Sequence, residues 1–396
     1  MAARDEEGRI GETVRRLRAD FPDAVVLVAD DGSRDGTAAE AEAAGARVLR
    51  LPPRGKGQAL TLAEREAPPG PLLLCDADLL GDLRPLCGSS ADLAVAAFAR
   101  RAGGGFGIAK AAARRLISAR SGLDVRAPLS GQRLLTQRAR EACFPLAAGF
   151  GAETAMTIDA GRAGLEVDEV ELDLDHRATA RDLPGFLHRG RQLRDLLLAT
   201  IAPQGRTFRG LRLPLVGAAF VAAEPVVALV GLADDLWSGP ERGVRAHLRA
   251  GTTTGVLKLV AIPVWALWRT RSVSGALLVS LSASLLNQLD TRPGRALKAY
   301  ALGSLLVRRR PGRADVLAVL IAPYDLGEMA MLGDAGSNAL GAVLGLDSVA
   351  RFTGRRRWSA IGALAGLTLF GEVRSLGTLI ERTPVLREFD AWGRER

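Results

Sequence analysis

Apolar residues follow two regimes along this chain. Up to about residue 206, short apolar runs alternate with charged stretches, and from Leu213 onward the runs lengthen between Arg-rich loops. In the first regime Val25–Ala29 is a continuous β-branched run that stops at Asp30-Asp31-Gly32-Ser33, the pattern of a buried parallel strand ending in a loop. Thr37–Ala44 reads as a helix, Val48–Leu51 as a second strand and Gly57–Ala67 as a second helix. Leu72–Cys75 is a third strand, ending at Asp76-Ala77-Asp78. This β-α-β-α-β rhythm predicts a parallel sheet with helices on both faces, which binds ligands beyond the carboxyl ends of its strands. Gly11–Leu17 predicts an earlier helix, with Glu6, Glu7 and Glu12 near its positive end. No strand precedes it in the pattern, so the domain is expected to open at a loop, with its first strand encoded upstream of Met1. Gly164–Leu174 reads as a further strand region before Asp175-His176-Arg177. Asp182–Ala199 is basic and amphipathic, and suits a surface helix or one lying on a membrane.

In the second regime the apolar runs are Leu213–Ala233, Val256–Trp268, Val273–Leu286, Val316–Ala322, Ala339–Leu346 and Ile361–Phe370. The first approaches the ~20 residues that span a bilayer. Glu224-Pro225 in its middle puts a charge and a helix breaker there, so the run is expected to bend and stay at the cytosolic face. The division expected is 1–206 and 207–396.

Composition sharpens this division. The chain is 48% hydrophobic yet 24% charged, a combination that points to segregation into a soluble and a membrane-bound half. The net charge of +9 is almost all arginine, because the only lysines are Lys56, Lys110, Lys258 and Lys298. Attraction to anionic lipid and to phosphate explains this as well as genome composition does. No zinc-finger spacing or aromatic-basic RNA motif is present, so no nucleic-acid partner is expected. Three cysteines without a CxxC pair fit a reducing compartment, and the charged stretch Ala2–Arg18 does not read as a signal peptide.

Three motifs in the first half carry chemistry. Asp76 and Asp78, two residues apart, suit one hard cation, which a leaving diphosphate requires. In Asp30-Asp31-Gly32-Ser33-Arg34-Asp35-Gly36-Thr37 the carboxylates suit a base or ribose, and Ser33 or Asp35 suits a helix cap. Arg54-Gly55-Lys56-Gly57 sets two cations among glycines that let backbone approach phosphate, without the spacing of a Walker loop. Each motif alone also fits a surface loop, a cap or a solvated turn.

Taken in order, the three resemble family 2 glycosyltransferases of the GT-A fold over about residues 2–180. They look most like the glucosyl-3-phosphoglycerate synthase and dolichyl-phosphate mannose synthase branches. The resemblance implies a UDP- or GDP-linked nucleotide-sugar and Mg2+ or Mn2+. It places Glu6, in Ala3-Arg4-Asp5-Glu6-Glu7, near the base with Asp30, Asp31 and Ser33. Lys56, Asp76 and Arg177 would face the phosphates. Pro128-Leu129-Ser130-Gly131-Gln132-Arg133 resembles an acceptor-side loop and brings Gln132 and Arg133 to the acceptor. Gly149-Phe150-Gly151-Ala152-Glu153-Thr154 resembles the segment whose acidic residue, here Glu153, orients or deprotonates the acceptor. The implied metal ligands are Asp78, His176 and, assisting, Asp76.

In the second half Gly231-Leu232-Ala233-Asp234-Asp235, Asn287-Gln288-Leu289-Asp290 and Leu332-Gly333-Asp334-Ala335-Gly336-Ser337-Asn338 put acids at the ends of apolar runs. Such acids suit function or interfacial helix capping. Together they resemble the polyprenyl-phosphate N-acetylhexosamine-1-phosphate transferase superfamily, which includes phospho-N-acetylmuramoyl-pentapeptide transferase, over about residues 210–345. Asp234, Asp235, Asp290 and Asp334 match its acidic motifs, and the resemblance implies Mg2+ and a polyprenyl-phosphate lipid. No histidine follows His247, and little apolar sequence precedes Asp234, so phosphosugar transfer is expected to be weak or absent.

The expectation is an α/β GT-A nucleotide-diphospho-sugar transferase domain followed by an all-α membrane-helix bundle, at the cell membrane with the transferase domain cytoplasmic. Its function would be glycosyl transfer to a lipid-linked or phosphorylated acceptor in cell-envelope glycan assembly. The alternatives are sugar-1-phosphate transfer by the second half, a second half that only anchors the enzyme and presents lipid, and an inactive truncated product.

Overall fold

The apolar run after Ala24 does form a strand, but two residues later than its composition suggests. Leu27–Asp31 (β2) lies between Ala2–Ala3 (β1) and Arg47–Leu51 (β3), and both pairings are parallel. Asp30 and Asp31 are thus the last residues of β2 rather than loop residues. The short β1 corrects the expectation that no strand precedes the first loop: Ala2 pairs with Ala29 and Ala3 with Asp30. Two residues are too few to show any alternation in sequence.

The computed structural model describes residues 1–79, 81–98, 107–174, 183–207, 209–237, 254–307 and 311–393. It divides into a unit of Met1–Ala202 with Gly210–Arg212 and a unit of Pro203–Arg209 with Leu213–Arg396. The boundary therefore falls beside residue 206 but interleaves across it.

In the first unit, Ile10–Asp20 (α1), Thr37–Ala43 (α2) and Lys56–Glu66 (α3) alternate with β1–β3. Ile10, Val14 and Leu17 recur at helical spacing and bury one face of α1 in the core shared with Val28, Ala41 and Ala94. Strands β1–β3 form one parallel sheet, and the unit's second, four-stranded sheet is mixed, which corrects the all-parallel expectation. Leu72–Leu74 (β4), Leu93–Phe98 (β5), Arg133–Leu135 (β6) and Val167–Leu172 (β7) run in the order β4-β6-β5-β7, and β6 is antiparallel to both neighbours. Ile108–Ser121 (α4), Gln137–Cys143 (α5), Ala152–Arg162 (α6) and Leu183–Thr200 (α7) complete the unit. Leu60, Leu93, Leu135, Leu146 and Met156 pack a second core between this sheet and α3, α5 and α6. The first unit is α/β, with β2 and β4 delivering their acidic ends to the site.

The second unit is helical: Pro225–Trp237 (α8), Thr254–Thr270 (α9), Val273–Leu289 (α10), Arg295–Val307 (α11), Arg313–Leu326 (α12), Gly333–Arg351 (α13), Gly354–Val373 (α14), Leu376–Arg382 (α15) and Pro384–Ala391 (α16). The run Leu213–Ala233 is not one helix. A 3-10 turn covers Gly217–Ala222, and α8 starts afresh at Pro225, where a missing N–H costs nothing. Among the described residues no single helix is long and apolar enough to cross a membrane, while α14 and α15, bent by 92°, meet that test together. The expected membrane bundle is shown only as a helical region.

Helix α13 is the centre of this unit and packs closest on α10. A Cβ on Gly341 would lie 2.5 Å from Ala283 Cα and Ser282 O, and one on Gly345 would lie 2.5 Å from Val279 Cα. Backbone meets backbone there, so neither side can yield. Gly341→Leu is expected to destabilise the second unit by about 3 kcal/mol or more. Thermal unfolding followed by circular dichroism checks this, and an unchanged transition would show that the helices separate freely.

Candidate active site

The loop after β2 is laced to the loop after β1. The Asp5 N–H donates to Ser33 Oγ at 3.0 Å and the Arg34 N–H to Asp5 Oδ1 at 2.9 Å. The Glu6 N–H donates to Thr37 Oγ1 at 2.7 Å, and the Gly36 N–H to Glu7 Oε2 at 3.0 Å. Asp30 caps its own turn by accepting from the Ser33 N–H at 3.0 Å. Asp31 reaches the next segment, accepting from the Arg54 N–H at 2.6 Å and the Gly55 N–H at 2.8 Å. Burial raises the Asp31 carboxyl above its ordinary value, against these two bonds. Burial likewise raises Glu6, opposed by its bond from Arg9, while the charge of Asp78 adds to the rise. Ser33, Asp30 and Asp31 thus accept backbone N–H groups, while the Glu6 carboxylate accepts from Arg9 at 2.9 Å.

Asp31 positions the first turn of α3, where Lys56 begins the helix. The Lys56 ammonium donates to Asp76 Oδ1 at 2.6 Å and pairs with Glu153 Oε1 at 2.6 Å. Burial would lower this ammonium, but the charges of Glu153 and Asp76 and the bonds to both raise it above its ordinary value. The other Asp76 oxygen accepts from Gln132 Nε2 at 2.9 Å, and Gln132 is in turn oriented by Ser130 Oγ at 3.1 Å. Gly131 makes this approach possible, since a Cβ there would lie 2.5 Å from Asp76 Oδ2. The structure thus joins four expected site residues, Lys56, Asp76, Gln132 and Glu153, in one network. Lys56 was expected to face phosphate, and here it is held by carboxylates.

Arg133 departs from its expected place at the acceptor. It is fully buried and donates to Ser130 O at 2.8 Å, Thr157 Oγ1 at 2.9 Å and Pro128 O at 3.3 Å. Burial lowers its guanidinium to about 10. It braces the loop that presents Gln132.

Asp78 sits in the turn after β4, half-buried, and accepts no hydrogen bond among the described residues. His176 and Arg177 lie outside the described residues, and among those described no three His, Cys, Asp or Glu side chains gather as a metal-ligand set.

In the second unit the four expected aspartates come together. Asp235 accepts from the Asp334 N–H at 2.8 Å and the Ala335 N–H at 2.9 Å, capping α13. The Gly333 N–H donates to Asp290. Lys258, absent from the expected site, pairs with Asp234 at 2.9 Å and with Asp334. Rarity was the available signal: in a chain with 53 Lys and Arg residues, lysine survives at only four positions.

Replacing Lys56 with methionine leaves Asp76 and Glu153 facing each other without a counter-charge. Lys56→Met is expected to cost about 3 kcal/mol at neutral pH, read by chemical denaturation. Because folding raises the ammonium, its stabilisation is fully present below the ordinary 10.5 and lost as pH rises beyond it. The stability difference between the two proteins should therefore hold from neutrality up to that alkaline range and narrow beyond it, and a difference that fades near neutrality would contradict the assigned pairing.

Residues 1–81 match the family model described as Glycosyl transferase family 2. No curated protein matches the chain. Among solved structures it is similar to glucosyl-3-phosphoglycerate synthase from Mycobacterium tuberculosis in complex with Mg2+ and UDP. That match has 26% identity, covers 50% of this chain and 75% of that one, and has a TM-score of 0.41. The same enzyme with Mn2+, UDP-glucose and phosphoglyceric acid matches at 26% identity over 54% of this chain and 84% of that one, with a TM-score of 0.42. The stretch of the first unit from β1 to just beyond β4, with the acidic ends of β2 and β4, is thus the part of the chain that is similar to glycosyl transferase family 2.

Proposed function

We propose that the first unit transfers a sugar from a UDP- or GDP-linked donor to a lipid-linked or phosphorylated acceptor in cell-envelope glycan assembly. The observation that carries this reading is the network joining Asp31, Lys56, Asp76, Gln132 and Glu153 at the carboxyl ends of β2 and β4, within and beside the family match. Glu6, Asp30 and Asp31 would bind the base and ribose. A divalent cation, Mg2+ or Mn2+, would be held by Asp78 with His176 and, assisting, Asp76, and would supply the counter-charge that a leaving diphosphate needs. Arg177 would face the phosphates. Gln132 would contact the acceptor, and Glu153 would accept its hydroxyl proton as the oxygen attacks the anomeric carbon. A phosphate acceptor needs no such base.

The second unit would hold the enzyme at the membrane, with the transferase domain in the cytoplasm, where nucleotide-sugars are made. Its large exposed apolar side chains support this, among them Trp268, Leu305, Leu306, Val319 and Val373. The alternative, sugar-1-phosphate transfer to a polyprenyl phosphate by the second unit, would require its aspartates to hold Mg2+.

The test is a panel of UDP- and GDP-sugars offered to the full chain with Mg2+ or Mn2+, first without acceptor and then with phosphoglycerate or a polyprenyl phosphate. Transfer should vanish in EDTA and fall ~100-fold or more in Asp78→Ala. Undiminished turnover in EDTA would remove the metal, and no consumption of any donor would sink the reading.

A further inference from the structure

Four helices of the second unit meet at one ammonium. Lys258 lies on α9, Asp234 on α8, Asn287 on α10 and Asp334 in the first turn of α13. Lys258 Nζ pairs with Asp234 Oδ2 at 2.9 Å and with Asp334 Oδ2. With the Asn287 amide turned so that its nitrogen faces the carboxylate, as its neighbours require, it donates to Asp334 Oδ1 at 2.8 Å and its oxygen accepts from Lys258 Nζ at 3.1 Å. Asp235 is committed elsewhere, since both its oxygens accept backbone N–H groups of Asp334 and Ala335. Asp290 accepts from the Gly333 N–H.

A divalent cation needs carboxylate oxygens that converge on one point and are free to turn toward it. Here both oxygens of Asp235 accept from a helix N-terminus, and one oxygen each of Asp234 and Asp334 meets a charge the protein already supplies. Among the described residues, these aspartates do not form a metal-ligand set. The Mg2+ site implied by the sequence resemblance of this half therefore does not fit the side chains as they stand.

The identity of the cation follows from the same geometry. An ammonium is a compact charge with three donors that meets two carboxylates and an amide at once. A planar guanidinium needs more room and a flatter set of acceptors. In a chain where arginine is the usual cation, lysine at 258 meets that requirement.

We propose that Lys258 is the built-in counter-cation of the second unit: its ammonium fills the position between Asp234 and Asp334, so this acidic centre staples four helices and takes up no divalent cation. This does not depend on the reading of the first unit, and it weighs against sugar-phosphate transfer by the second.

The experiment measures Mn2+ bound per full-length chain by equilibrium dialysis and metal analysis. The native protein and Asp334→Asn should bind the same number of ions. One ion fewer in Asp334→Asn would overturn the proposal, whatever the first unit binds. Lys258→Met should gain one Mn2+ per chain, lose that gain when Asp334→Asn is added, and recover lost heat stability when Mn2+ is present. A folded Lys258→Met protein that gains no ion would also overturn it. If Lys258→Met does not fold, the native and Asp334→Asn comparison still decides.

Discussion

The candidate site depends on a single ammonium shared by two carboxylates. Lys56 starts α3, Asp76 follows β4 and Glu153 lies in the first turn of α6, so one side chain fixes three elements that are far apart in sequence. The arrangement is self-consistent electrostatically, because each carboxylate offsets what burial costs the lysine. It is also directional. Asp76 turns one oxygen to Lys56 and the other to Gln132, which ties the donor-side strand end to the loop that ends at β6. Removing the ammonium would loosen both sides together.

The sheet explains why these groups meet. Strand β6 runs antiparallel between β4 and β5, so the loop entering it arrives at the same end at which β4 leaves. Arg133, at the start of β6, is sealed inside and ties that loop, by hydrogen bonds to Ser130 O and Pro128 O, to Thr157 on α6. A buried guanidinium with its donors satisfied acts as a brace, since any shift would leave polar groups unpaired in a dry interior.

Much of this was legible in sequence, for identifiable reasons. β2 shows as an apolar run because it lies between two parallel neighbours and is buried over Val28–Asp31, and β3 and β4 show by their short runs of Val and Leu. The acidic ends of β2 and β4 show because carboxylates directly after such runs have few structural uses. β1 and β6 did not show, having only two and three residues, with a buried arginine inside one of them. Strand β5 was hidden in an Ala-rich stretch. Helix α11 was missed because Arg295 and Lys298 interrupt its apolar face. They are buried there against Asp390, which lies 95 residues beyond Arg295, and no local pattern records such a partner. Lys56 was found as a basic residue among glycines, but its carboxylate partners are a tertiary fact. Lys258 had no motif around it.

The lacing of the first two loops has a consequence for anything anionic that approaches. Asp5, Glu7, Asp30 and Asp35 accept backbone N–H groups, so their charges are fixed in direction and held close together. The same loops carry Arg4, which lies beside Asp5, and Arg9, which donates to Glu6, so the rim holds charges of both signs at fixed positions. An anion that settles there has to keep to the arginines and clear of carboxylates that cannot turn away, so the lacing selects for the orientation in which it arrives.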